Sequence, residues 1–151
     1  MNSRDKPFGE SASGFTWGNW PWEEAMHWPG STHVSVGKRI LEKFEWWRFE
    51  PHPEWLSATQ EKDDRGLIAA AAGIPGEVRV FYFAKKTKQK LLKLDAGVKY
   101  RATFISPLDG KEYPVGKSLQ ADDIGSCVVP RGPINQDWVL VLKPEKEETD
   151  K

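Results

Sequence analysis

The acidic residues offer little for acid–base chemistry in this sequence of 151 residues. Hydrolysis by acid–base chemistry needs two carboxylates held at a fixed separation around the reacting bond. Glu23 and Glu24 are adjacent and point in different directions on a helix, so stabilising its first turn is the better interpretation. The other paired acidic residues lie in charged, turn-like segments, where carboxylates are solvated: Asp63, Asp64, Asp122 and Asp123. We therefore predict no catalytic residue.

The sequence contains no recognisable metal, cofactor or nucleophile motif. His27, His33 and His52 are six and nineteen residues apart, whereas metal-binding histidines on a helix are spaced as i and i+4. Cys127 is the only cysteine, which excludes an intrachain disulfide and a cysteine-rich zinc site. No glycine-rich phosphate loop or dinucleotide fingerprint is present. We predict no metal and no cofactor.

Tryptophan is the residue type that stands out in this sequence. Seven of the 8 tryptophans lie within the first 55 residues: Trp17, Trp20, Trp22, Trp28, Trp46, Trp47 and Trp55. Indole rings stack on the apolar faces of sugars, but they also bury large areas in cores and interfaces. Trp17, Trp20, Trp22 and Trp28 lie among Gly and Pro rather than on a helical stripe. We predict these four as ligand-binding residues, with packing as the alternative.

Composition excludes two classes of partner. The 22 Lys and Arg residues balance 22 Asp and Glu residues, so the formal net charge is zero. Nucleic acids and anionic membranes select for an excess of basic residues, so we predict neither as a partner. The longest uncharged stretch in the middle of the chain, Gly66 to Gly76, is too short to span a bilayer. The first residues contain no apolar segment and predict no signal peptide.

The N-terminal part of the sequence predicts a flexible lead-in over residues 1–14 and then two helices. The first, short helix ends at Pro29–Gly30. The second has Ser31 or Thr32 as its N-cap and extends to Trp47, which we assign to packing together with the preceding tryptophan. We expect the apolar stripe of this helix to pack on the rest of the chain or on a second copy: Val36, Ile40, Phe44 and Trp47.

From about residue 61 the hydrophobic period changes from helical to strand-like. The predicted strands are Leu67–Ala72, Val78–Ala84, Lys90–Leu94, Val98–Ile105, Tyr113–Val115, Ile124–Val129 and Trp138–Leu142. Short strands without helices between them favour an antiparallel β-sandwich of about seven or eight strands over residues 61–143. We expect a disordered tail over residues 144–151. The predicted fold class is mainly β: an antiparallel β-sandwich preceded by one or two α-helices.

The alternation of residue types predicts which strand faces are buried. Tyr100, Ala102 and Phe104 share one face of their strand, whereas Lys99, Arg101 and Thr103 share the other face, which we expect to be in contact with water. The strand from Val78 to Ala84 carries apolar groups on both faces, which is typical of a strand covered on both sides. Trp138 is expected in the core of the sandwich.

The order of several motifs resembles that of apiosidase-like glycoside hydrolases. Residues 14–18 are Gly-Phe-Thr-Trp-Gly, followed by a Trp-rich loop, a Pro-Gly pair and a helix with the Trp-Trp pair of residues 46 and 47. This order is similar to the last strand–loop–helix unit of the barrel in that family. Residues 104–110 (FISPLDG) and 137–142 (DWVLVL) resemble the turn and terminal strand of the small β-sandwich that follows the barrel, which is named a collagen-binding domain.

The resemblance covers residues 14–143 and has two departures. Phe15 stands where the family has a histidine, and Ser106 stands where the turn has an aspartate. The resemblance implies that residues 15–60 are the end of a (β/α)8 barrel and that residues 61–143 are the sandwich. The rest of such a barrel, whose strand ends carry the active-site carboxylates, is missing from this sequence.

The function implied by the resemblance is that of a non-catalytic accessory module of a secreted glycoside hydrolase, located outside the cell or in the periplasm. Such a module stabilises the enzyme or binds carbohydrate or another extracellular polymer. The expected partners are a polysaccharide, a catalytic barrel, or a second copy held through the Trp-rich segment. One alternative is a fragment or subunit of an apiosidase-like glycoside hydrolase that is active only when a barrel is supplied. A purely structural domain and a protein-interaction domain are further alternatives.

Overall fold

The structure of this chain is a computed structural model that describes residues 22–57, 69–84 and 89–145. Its helices are α1 (Trp22–Ala25), α2 (Pro29–Leu41) and two short 3₁₀ helices, Trp46–Arg48 and Pro53–Trp55. The predicted lead-in over residues 1–14 and the chain beyond residue 145 lie outside the described residues. No helix within the described ranges is long and apolar enough to cross a membrane.

Nine strands are described, and all of their pairings are antiparallel. The strands are β1 (Glu50–Pro51), β2 (Ala70–Ile74), β3 (Val78–Phe83), β4 (Gln89–Leu91), β5 (Lys99–Ile105), β6 (Glu112–Pro114), β7 (Leu119–Gln120), β8 (Cys127–Val129) and β9 (Trp138–Pro144). Seven of them form one sheet in the order β1-β2-β3-β9-β5-β6, with β7 also paired to β5. Strands β4 and β8 form a second sheet. The predicted mainly β, sandwich-like fold class is confirmed.

The main core lies between the two sheets. Its buried residues come from the large sheet, from Leu91 and Val129 of the small sheet, and from Trp55 and Leu94 outside the strands. Trp138 is at its centre with 1% of its surface exposed, as predicted. The Trp138 indole N–H donates to the Ile134 carbonyl at 3.1 Å. This hydrogen bond satisfies the polar atom of the ring inside an apolar environment, which burial of tryptophan requires.

A second cluster covers the opposite face of the large sheet. Val36 and Ile40 of α2 are buried against apolar side chains of that face: Ile74, Val78, Ile105 and Val141. The prediction that this helix packs on the sandwich is confirmed for these two residues. Strand β3 is therefore covered on both faces, as its sequence indicated, because its alternate residues enter the two clusters.

Helix α2 has different ends from those predicted. It begins at Pro29, with Trp28 as its N-cap, rather than at Ser31 or Thr32. Proline is favoured at the first helical position because its missing N–H would have no partner there, so Pro29 starts α2 instead of ending the helix before it. The helix ends at Leu41, six residues before the predicted end at Trp47, and a turn leads into the 3₁₀ helix.

The side chain of Trp47 is therefore not part of the α2 stripe. It is 67% exposed, whereas Phe44 is half-buried and packs at the border of the second cluster. The N–H of Phe44 bonds to the Leu41 carbonyl three residues earlier, at 2.9 Å. This spacing of three residues is tighter than that of an α-helix, so the residues after Phe44 no longer lie on the face that the helical period predicts.

The strand boundaries also differ at several points. Strand β8 begins at Cys127 rather than Ile124, because the Asp122 carboxylate accepts a hydrogen bond from the Ser126 N–H at 2.7 Å and holds a turn there. Strand β2 extends to Ile74, two residues beyond the predicted end. The two-residue strands β1 and β7 were not predicted, since two residues carry no alternation.

The sheet extends past both predicted limits of the sandwich. Strand β9 includes Pro144, and the Glu145 N–H donates to the Lys99 carbonyl at 2.8 Å, so the tail does not begin at residue 144. At the other limit, β1 pairs with β2 and Trp55 is buried in the main core. The division into domains near residue 60 stays a prediction.

Candidate functional site

The predicted ligand-binding tryptophans fall mostly outside the described side chains. Trp17 and Trp20 lie outside the described residues, and only the backbone of Trp22 is described, in α1. Trp28 is placed at the N-cap of α2 and is 44% exposed. The grouping of these four side chains into one site therefore stays a prediction.

The described part of the chain exposes a different aromatic pair. Trp46 and Trp47 are 49% and 67% exposed, and their rings meet edge to face with centroids 6.4 Å apart. Their assignment to packing does not hold in this chain alone. Consecutive residues on a tight turn point in different directions, so both rings of such a pair cannot pack on the same surface. A Trp-Trp pair at the end of a predicted helix is therefore the feature of the sequence that indicates exposed indole rings.

The 3₁₀ helix that carries this pair is tied to the sheet by Arg48. Its two guanidinium nitrogens bond to the two carboxylate oxygens of Glu77 at 2.7 and 3.1 Å, and Nη1 also bonds to Glu45 at 2.5 Å. Hydrogen bonding with Glu77 raises the pKa of Arg48, and the same bond lowers the pKa of Glu77. Both groups are ionised at neutral pH, and the bidentate geometry fixes the turn against the β2–β3 hairpin.

Three carboxylates in the described ranges have a shifted pKa, and all three shifts are downward. The pKa of Glu77 is lowered by Arg48, that of Glu54 by the His52 side chain, and that of Asp109 by the Lys111 N–H. A general acid in hydrolysis needs a raised pKa. These three carboxylates are therefore suited to accept hydrogen bonds rather than to donate protons.

Replacing Glu77 with glutamine is expected to make thermal stability less dependent on pH. The folded-state pKa of Glu77 lies below its ordinary value of 4.5, so its ion pair stabilises the fold above that value. The stabilisation is lost as the pH falls through the folded-state pKa. The fall in Tm from neutral pH to about pH 3 should be smaller for Glu77→Gln than for the wild type. An equal fall would contradict this role; Glu42→Gln, at the exposed C-cap of α2, is the control.

Two adjacent cavities lie beside Phe44 on the α2 side of the large sheet. The larger, about 420 Å³, is lined by Phe44, Glu45, Ile74, Gly76, Glu77, Val78, Lys143 and Pro144. The smaller, about 250 Å³, is lined by Lys43, Phe44, Arg101, Thr103, Ile105, Glu112, Val141 and Lys143. Because Phe44 and Lys143 line both, we call the two cavities together the Phe44 groove.

Helix α2 also carries a second apolar stripe, which faces away from the sheet. The stripe consists of Gly30, Val34, Gly37 and Leu41, spaced at four, three and four residues. Val34 is 74% exposed and Leu41 is also exposed, although both lie on a helix that buries Val36 and Ile40 on its other apolar side. A helix with two apolar faces is typical of one packed between two elements. We call these four residues the outer stripe.

The fold is shared with glycoside hydrolases. A glycoside hydrolase structure superimposes with a TM-score of 0.64 and 19% identity, over 96% of this chain and 31% of that chain. A family 5 glycoside hydrolase from Bacteroides vulgatus superimposes with a TM-score of 0.68 and 18% identity, over 95% of this chain and 31% of the other. No protein-family profile and no curated protein matches the sequence.

The comparison shows a shared fold and a difference in length. This chain spans about a third of the glycoside hydrolase chains that it matches. Since nearly the whole chain is matched, the similarity includes the helical segment as well as the sandwich.

The described residues contain no group of three or more His, Cys, Asp or Glu side chains that could hold a metal ion.

Proposed function

We propose that this chain is a non-catalytic accessory module of a secreted, apiosidase-like glycoside hydrolase. The observation that carries the proposal is the match of 95–96% of this chain to only 31% of two glycoside hydrolase chains. The matched third of those chains has the fold of this module, so the remaining two thirds are available for a catalytic domain. We propose that the module works outside the cell or in the periplasm, on the same polysaccharide as its enzyme.

The outer stripe is the surface that we assign to contact with the catalytic barrel. Its apolar side chains are exposed in this chain, whereas an apolar helix face is normally buried against another element. The helical segment precedes the sheet in sequence, and α2 already packs on the sandwich through Val36 and Ile40. A barrel seated on the outer stripe would leave α2 between the two parts and would bury Val34 and Leu41.

A second candidate function follows from the same surface. If α2 completes the barrel rather than supporting it from outside, this chain is a subunit of a glycoside hydrolase and the activity appears only when the barrel is supplied. In both cases the chain alone has no hydrolytic activity. The two functions differ in the activity of the barrel without this chain, which is present for a supporting module and absent for a completing subunit.

Charge on the outer stripe is expected to prevent binding of the barrel. The DNA flanking the coding region is expected to encode the catalytic barrel, and that barrel is the probe. The double variant Val34→Glu with Leu41→Glu places two charges in an apolar interface and should weaken binding about 100-fold, as measured by calorimetry.

The matched control is Arg39→Glu, an exposed residue of the same helix that is neither three nor four residues from Val34 or Leu41. It should change the affinity for the barrel by less than about threefold, because it lies outside the outer stripe. Equal losses from both variants would place the barrel elsewhere on the module. Flanking DNA without a barrel, or no measurable binding by the wild type, would contradict the proposed function.

A further inference from the structure

We infer that the smaller cavity of the Phe44 groove binds the carboxylate of an acidic oligosaccharide. The cavity lies on the α2 side of the large sheet, away from the outer stripe, and Trp28, the one predicted ligand-binding tryptophan whose side chain is described, does not line it. Its walls contain three cationic side chains and one anionic side chain: Lys43, Arg101, Lys143 and Glu112. Three minus one leaves a local charge of +2 in a chain whose net charge is zero.

Two of these cations lie directly opposite each other on neighbouring strands. Arg101 of β5 and Lys143 of β9 are register partners in the large sheet. Like charges at directly opposite positions destabilise an antiparallel pair, so this arrangement has a cost in the free protein. An anion placed between the two side chains would remove that cost and form charge-assisted hydrogen bonds with both.

No carboxylate in the described part of the chain neutralises this pair. Glu112 forms an ion pair with Lys43 at the end of α2, and Glu77 and Glu45 are both bonded to Arg48. Across residues 22–57, 69–84 and 89–145, no carboxylate lies within ion-pair distance of Arg101 or Lys143. The Arg101 and Lys143 head groups are exposed at the cavity, where a ligand can reach them.

The rest of the groove favours a sugar as the carrier of that anion. The ammonium group of Lys143 lies 5.0 Å from the centroid of the Phe44 ring, so a charged contact and an aromatic contact are available side by side. A carboxylated sugar ring presents both an anionic group and apolar C–H faces. The larger cavity continues on the other side of Phe44 and offers Glu45 and Glu77 as hydrogen-bond acceptors for hydroxyl groups.

The choice of an oligosaccharide rests on the proposed function, whereas the anion site rests on the geometry of Arg101 and Lys143. The experiment measures the affinity of the full chain for trigalacturonate and for neutral galactotriose by titration calorimetry at low salt. We expect trigalacturonate to bind about tenfold more tightly than galactotriose, and this preference should decrease as salt is added.

Two variants assign the binding to the pair. Arg101→Gln and Lys143→Gln should each weaken trigalacturonate binding about tenfold, since each removes one charge-assisted hydrogen bond. Lys99→Gln is the matched control, because Lys99 is exposed on the same face of β5 but does not line the cavity. In ligand-free, low-salt buffer Arg101→Gln should also raise the Tm, which separates loss of the site from loss of the fold.

Equal affinity for the charged and neutral trisaccharides would overturn the inference, as would an effect of Lys99→Gln as large as that of Arg101→Gln. Binding of inorganic sulfate as tight as that of trigalacturonate would show an anion site without sugar recognition and would overturn the oligosaccharide assignment. None of these outcomes would contradict the proposed binding of the barrel, because the variants at Val34 and Leu41 test that binding on another surface.

Discussion

Replacing Trp138 with alanine is expected to lower the free energy of unfolding by about 3–5 kcal/mol, the range for loss of a large aromatic side chain from a core. The ring is fully buried, and Phe104 and Tyr113 meet it edge to face with centroids 5.7 and 5.3 Å away. It also lies close to Gly132, where an added Cβ would come within 2.4 Å of the indole nitrogen. The surrounding backbone is therefore packed directly against the ring, and alanine would leave a cavity there.

The matched control is the same substitution at an exposed tryptophan. Trp47→Ala removes an equally large side chain that is 67% exposed, so the free energy of unfolding should change by less than about 0.5 kcal/mol. Urea denaturation of both variants, followed by circular dichroism, gives the comparison. Similar losses for the two variants would show that Trp47 is packed in the free chain and would contradict the assignment of the core.

Replacing Gly73 with alanine is expected to cost about 3 kcal/mol, near the upper end for overpacking a core. Gly73 lies in β2 between β1 and β3, and it faces the buried Trp55. An added Cβ would lie 2.2 Å from the Val78 carbonyl oxygen and 3.2 Å from the Trp55 ring. The first contact is with backbone, so relief requires movement of the hairpin rather than a change of rotamer.

Gly37→Ala provides the control for this prediction. Gly37 lies inside α2, and an added Cβ there meets nothing within 4 Å. Alanine is favoured over glycine within a helix, so this substitution should raise the free energy of unfolding by about 0.5–1 kcal/mol. Thermal unfolding of the two variants should therefore show shifts in Tm of opposite sign. A Tm for Gly73→Ala at or above the wild-type value would contradict the close approach.

The strands could be predicted from the sequence where local pattern and tertiary structure agree. Strands β3, β5 and β9 are rich in β-branched and aromatic residues, and each lies near its predicted position because both its pattern and its burial favour a strand. In β5, Tyr100, Ala102 and Phe104 are buried and Lys99 and Arg101 are exposed, as their alternation indicated. The burial of Trp138 followed from its place in such a strand.

The ends of elements could not be predicted, because they depend on contacts outside the local pattern. The 3.6-residue period continues past Leu41 in the sequence, but the chain enters a tighter turn there, and the 3₁₀ helix that follows is joined to the β2–β3 hairpin by the ion pair of Arg48 with Glu77. These two residues are 29 positions apart. No periodicity within the helix contains that information. The exposure of Trp47 is a consequence of this turn.

The Phe44 groove was missed for a related reason. Its cations belong to three separate segments, and they meet only because β5 pairs with β9 and the turn after α2 lies over both. In the sequence, Arg101 is one charge on a solvent-facing strand, and Lys143 is the last residue before the charged tail. The register between two strands is the missing information, and a single sequence does not supply it.

The half-life of hydrolytic activity at raised temperature tests the central claim most directly. The catalytic barrel that we propose as the partner would be assayed on aryl glycosides, alone and with a saturating amount of the chain, and the chain would be assayed alone. For an accessory module we predict no hydrolysis by the chain alone, and a half-life of the barrel that is about tenfold longer when the chain is bound. Hydrolysis by the chain alone, or an unchanged half-life of the barrel, would contradict the account.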